Sequence, residues 1–234
     1  MAKNPLSEIG MIGVQEKSIS PLSRRKFLGI GAAASGLIMV AAACSKSDDT
    51  PTMSTGVDLG SGDIGILNYA YALEQLEAAF YTQVIASQYS GITASETALL
   101  TDIRDHEIAH REFFKKAIGG SAIGALEVNF SAINFGNRDS VLSTAKAFED
   151  LGVSAYNGAG RLITNPDYLV LAGKIVSVEA RHAAYIRDLI SNGSFADNTV
   201  IDAMGLDKSR TPTEVLTIAG SYVKTKINAS NLPS

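Results

Sequence analysis

The sequence predicts an all-α fold: a four-helix bundle with a long crossover between the second and third helices. Three observations predict it. Four segments carry apolar residues at helical spacing. The first and third connections between them are short and the second is long. Each apolar stripe is interrupted near its middle by one glutamate, so the four segments share a pattern. Short connections make antiparallel neighbours, and the long one can cross the length of a bundle.

Residues 1–43 stand apart from the fold as an export signal. The stretch SRRKFLGI (23–30) follows Arg24-Arg25 with Phe27 and Leu28 and is similar to a twin-arginine signal. The run 29–43 is Gly/Ala-rich and short of the about 20 strongly apolar residues that a membrane span needs. AAAC (41–44) resembles a lipoprotein cleavage site, which would make Cys44 a lipidated first residue. Ala41 stands where leucine is commoner, and an ordinary peptidase site with a free Cys44 thiol is the other reading. Residues 44–62 are polar and Gly/Ser/Thr-rich, and read as a flexible tether. The expected partners are therefore the twin-arginine export machinery and a membrane reached through a lipid anchor. The expected location is the periplasm or outer membrane of a bacterium.

The bundle is expected over 63–190. The first helix, from Asp63 to about Gln88, has the stripe Leu67, Ala70, Glu74, Ala78, Tyr81. Thr93 and Glu96 form a capping-box pattern for the second, which stops at Gly119-Gly120. Its apolar face holds Ile103, Phe114 and Ala117, and Glu107 and His110 fall on that same face. Residues 119–138 have no helical period and read as extended. A third helix begins near Asp139–Ser140, with the stripe Leu142, Ala145, Glu149, Gly152, Tyr156, Ala159, Ile163. Asn165 as N-cap and Pro166 at the first helical position open the fourth, with Ala172, Ile175, Glu179, His182 and Ile186. It stops at SNG (191–193). In the extension 191–234, TPTE (211–214) starts a short fifth helix whose face includes Val215, Ile218 and Tyr222.

A buried lone carboxylate is expensive, so a glutamate in the centre of each stripe needs a reason. Glu107 and Glu179 are each followed at i+3 by a histidine, His110 and His182, on the same helix face. Glu74 and Glu149 instead have a tyrosine at i+7, Tyr81 and Tyr156. Helix one thus resembles helix three, and helix two resembles helix four. A pseudo-twofold bundle would bring four glutamates and two histidines to one level. Four carboxylates match the charge of two divalent cations, and two neutral imidazoles complete the coordination. The donor set suits two iron or manganese ions and is the dimetal carboxylate pattern of ferritin-like bundles.

Composition narrows the alternatives. Apolar residues make up 46% and charged residues 19%, an ordinary globular balance, with a net charge of −4 and no Lys/Arg stripe. Nucleic acid is therefore not the expected partner. The single cysteine excludes disulfides within the chain, iron–sulfur clusters and Cys-based zinc sites.

Residues 63–190 resemble the ferritin-like superfamily, and in particular exported bacterial ferritin-like domain proteins related to desiccation-associated proteins. The stretches LNYAYALEQLEAAFY and FEDLGVSAY carry the likeness. The resemblance implies that Glu74, Glu107, His110, Glu149, Glu179 and His182 are metal ligands, with Glu107 and Glu179 bridging. It also implies redox chemistry on O2 or peroxide, or oxidation of Fe(II), in envelope stress defence. A manganese-catalase-like reaction is a variant, and a non-catalytic metal-binding or protective bundle is the alternative. The chain has no Cys-x-x-Cys, so a rubredoxin module like that of rubrerythrins is not encoded. Glu77, one turn from Glu74, is an additional ligand candidate. Tyr81 and Tyr156 are expected either to hydrogen-bond ligands or to pack in the core. His106 lies about 100° round the helix from Glu107 and is expected at the surface. Arg181 and Asp150 neighbour ligands in sequence only.

Overall fold

The computed structural model describes residues 56–234. The predicted signal, Cys44 and most of the tether lie outside them. The elements are β1 (Val57–Asp58), α1 (Gly62–Ala86), α2 (Ala94–Ile118), α3 (Arg138–Gly160), α4 (Pro166–Ile190), α5 (Pro212–Ala219) and β2 (Ile227–Asn228). The four long helices pack as two hairpins, α1 with α2 and α3 with α4, joined where α1 meets α3. No helix among the described residues is long and apolar enough to cross a membrane.

Helices α2 to α5 start where their capping chemistry says they should. The capping box of α2 is complete: Thr93 accepts from the Glu96 backbone and Glu96 from the Thr93 backbone. Gly119 ends that helix at φ 63, a conformation that favours glycine. Asn137 caps α3 through the Ser140 amide, and Asn165 caps α4 through the Asp167 amide with Pro166 next. Ser61 makes no side-chain cap on α1. Asp63 in the first turn of α1 instead accepts from the Thr164 and Asn165 amides and the Thr164 hydroxyl. The start of α1 is thereby tied to the α3–α4 turn.

Helix α1 is buried almost all round, which is why its stripe looks broad in sequence. Two of its buried amides hold the crossover. Asn68 donates to the Ser121 carbonyl and accepts from the Ile123 amide. Two turns later, Gln75 donates to the Gly124 carbonyl and accepts from the Leu126 amide. The crossover is extended, as its lack of helical period implies, and bridges antiparallel to the C-terminal segment at Val128 and Val223.

The ends of the described chain depart from expectation. The last residues of the expected tether are held: Val57–Asp58 pair in parallel with Ile227–Asn228, and Leu59 is fully buried. A polar composition around one leucine concealed that anchor. The fifth helix forms with its own capping box at Thr211 and Glu214 and packs against α3. Val215 is buried, but Ile218 is 46% exposed, and Pro212 and Ala219 fill the inner face instead. Tyr222 falls in a following 3-10 turn and meets Phe148 edge to face at 4.7 Å. Arg187, also fully enclosed, clasps the loop after α4. It pairs with Asp150 through two nitrogens at 2.7 and 2.9 Å, and reaches Thr199 and Asp197.

Candidate metal centre

The central glutamates of the four stripes meet. Glu74, Glu107, Glu149 and Glu179 have no exposed surface, and His182 is 5% exposed. The donor atoms form two overlapping sets, each within 4.8 Å: Glu74, Glu107, His110 and Glu179, and Glu107, Glu149, Glu179 and His182. Glu107 and Glu179 belong to both. Nδ1 of His110 lies 2.8 Å from Glu179 and 3.5 Å from Glu74. Nδ1 of His182 lies 2.9 Å from Glu107 and 3.5 Å from Glu149. The two halves mirror each other, as the repeat in the chain requires.

The tyrosines explain which oxygens are free. Tyr81 of α1 donates to Oε1 of Glu149 on α3 at 2.5 Å, and Tyr156 of α3 donates back to Oε1 of Glu74 on α1. Glu74 and Glu149 each keep one buried oxygen without a hydrogen bond. Glu107 and Glu179 keep both, and His110 and His182 each keep Nδ1. In each set these atoms crowd within 4.8 Å of one another. A buried polar atom left unpaired costs about 1–3 kcal/mol. Ion pairs from the two imidazoles offset part of that cost, but they leave several carboxylate oxygens facing one another. A bound cation would remove the rest, and carboxylate with imidazole is a donor set that suits iron or manganese.

Charge follows from the same crowding. Burial and the neighbouring Glu179 raise the Glu74 and Glu107 carboxyls, Glu107 strongly. Burial lifts Glu149 to about 7. Burial would also raise Glu179, but the facing His110 and His182 outweigh it and hold that group at about 2. Burial opposes charge on the imidazoles, yet the facing carboxylates push both His110 and His182 up to about 12. Without metal, the imidazoles are the counter-ions of the carboxylates.

Glu77 is buried but belongs to neither donor set. It points towards α3, where a Cβ on Gly152 would lie 3.1 Å from its Oε1, so the missing side chain makes room for it. Burial, then the charges of Glu107, Glu179, Glu149 and Glu74, push its carboxyl well above the usual range. Asp150 turns from the centre to Arg187, and Arg181 bonds the Ser177 carbonyl. His106 is exposed as expected, but its Nδ1 lies 2.9 Å from Nε2 of His182. Phase round the helix concealed this contact, while the i, i+4 spacing from His106 to His110 signalled it.

A comparison with curated proteins found no match. The family model described as a ferritin-like domain matches residues 62–192, from the first residue of α1 to just beyond α4. The match covers more than half of the sequence and contains the whole cluster, and the chain belongs to the ferritin-like domain family.

Proposed function

We propose that this protein is a dimetal carboxylate oxidoreductase, exported to the cell envelope, that acts on O2 or peroxide or oxidises Fe(II). The observation that carries the reading is the set of buried, unpaired donor atoms on six residues of four helices. Glu74 and His110 would hold one ion, Glu149 and His182 the other, with Glu107 and Glu179 shared. A pair of iron or manganese ions in such a site supplies two-electron redox chemistry. Burial of the four carboxylates excludes bulky substrates and favours a small oxidant. Tyr81 and Tyr156 orient the two outer carboxylates and hold their hydroxyl protons against them.

Export rests on the Arg24-Arg25 signal, and anchoring on Cys44. Twin-arginine export moves folded proteins, which suits a site loaded before transport. The test is to load the mature protein with Fe(II) without oxygen and then add O2 or H2O2. The reading expects stoichiometric oxidation, with a near-UV band that Glu107→Ala lacks. A protein that binds metal but never responds to either oxidant is a structural or protective metal protein instead.

A further inference from the structure

We propose that the two metal positions are unequal, and that His106 makes them so by fixing His182 in its ligating orientation. The inference rests on the metal reading above and adds which position holds its ion more tightly.

The repeat between α2 and α4 is faithful at Glu107 and Glu179 and at His110 and His182. It fails one residue earlier. His106 precedes Glu107, whereas the half-buried Val178 precedes Glu179. An imidazole therefore stands on one side where the other has a group that cannot hydrogen-bond.

That imidazole is engaged. Its Nδ1 is 2.9 Å from Nε2 of His182. The ring planes are 8° apart and the centroids 5.2 Å apart. Facing nitrogens that close, at that centroid separation, set the rings edge to edge in nearly one plane. This is the geometry of a linear hydrogen bond rather than of face stacking.

The direction of the bond follows from the other side of His182. Its Nδ1 faces Glu107, Glu149 and Glu179, which is where a metal would sit. Nε2 is then the protonated nitrogen and donates to Nδ1 of His106. The bond selects the tautomer that leaves the Nδ1 lone pair free, and it resists rotation of the ring. His110 has no such support: among the described residues no group bonds its Nε2, and its side chain is 13% exposed. The His110 position pays the ordering of its imidazole at the moment of binding, and the His182 position has it already made. His106 is a positioning residue, because it reaches the metal only through His182.

The experiment titrates metal-free, full-length protein with Co(II) alone, followed by calorimetry and by the absorption of the bound ion. Wild-type protein should bind in two unequal events, the tighter of which His182→Ala abolishes. His106→Ala should weaken that event by about 10–100-fold, the usual cost of losing an outer partner of a metal ligand, and leave the other unchanged. His106→Gln, whose amide oxygen can accept the same bond, should recover most of the loss. In the His182→Ala background, His106→Ala should change nothing further. Both His106 variants should stay folded, with His106→Ala melting somewhat lower because it leaves the buried Nε2 of His182 without its acceptor, and His106→Gln close to wild type. Equal events in the wild type, or a His106→Ala variant that weakens neither or both alike, would overturn the inequality and leave the centre standing. Wild-type protein that takes up no Co(II) would overturn the centre itself.

Discussion

Tyr81 on α1 donates its phenolic hydrogen to Glu149 on α3 at 2.5 Å, so a residue of one hairpin orients a central carboxylate of the other. The reciprocal bond from Tyr156 to Glu74 makes the arrangement symmetric. Removing either hydroxyl leaves a carboxylate oxygen buried and unpaired. Tyr81→Phe and Tyr156→Phe should each cost about 1–3 kcal/mol in denaturant unfolding. Each should also broaden the spectrum of the metal bound to the carboxylate it released, Glu149 for Tyr81 and Glu74 for Tyr156. Unchanged stability and spectra would reduce both tyrosines to packing.

Glu77 gives the opposite sign. It is buried beside four carboxylates and has no place in either donor set among the described residues. Replacing it with neutral glutamine should stabilise the metal-free fold by about 1–3 kcal/mol, because the desolvated acid is gone. Metal uptake should survive Glu77→Gln and fail in Glu74→Ala. The reverse order would move the helix-one ligand to Glu77.

The pH response should differ between metal-free and loaded protein. His110 and His182 stand at about 12 in the fold, above an unfolded value near 6.5. Their stabilisation is complete below about pH 6.5 and is lost as the pH climbs towards 12. Glu149, raised to about 7, adds a loss of the same sign as the pH rises from its unfolded value of 4.5. The metal-free melting temperature should therefore fall steadily from about pH 5 to pH 9. Metal binding must displace these protons, so apparent affinity should rise over the same range, with proton release visible in calorimetry across buffers. A metal-free melting temperature that rises with pH would contradict the account of the cluster.

Arg187 links the bundle to the C-terminal extension. Arg187→Met leaves Asp150 unpaired and frees the loop at Thr199. Asp150 keeps some solvent, its side chain being 16% exposed, so the cost should be about 2–3 kcal/mol rather than that of a sealed pair. Proteolysis should then begin within 194–210 while the metal content stays intact. Loss of metal along with the loop would show that the extension supports the site.

The helices and their centre were legible because each depends on local chemistry. Thr93 with Glu96, Asn165 with Pro166, and Glu107 with His110 are all within one turn of each other. What sequence concealed depends on partners far along the chain. Asn68 and Gln75 look like polar interruptions of α1 until the crossover lies against them. Val57–Asp58 look like linker until they meet Ile227–Asn228. Ile218 was misplaced because an eight-residue helix has too few turns to fix its phase. His106 escaped because its partner sits on another helix, although its spacing to His110 pointed inward.

Six residues from four helices are proposed to hold two metal ions. The most direct test is elemental analysis of the full-length chain, loaded with Fe(II) or Mn(II) and desalted, beside Glu107→Ala and Glu179→Ala. Both glutamates belong to both donor sets. About two ions per wild-type chain are expected and almost none in either variant, with the variants still folded. Wild-type protein that retains no metal, or variants that retain as much as wild type, would contradict the proposal.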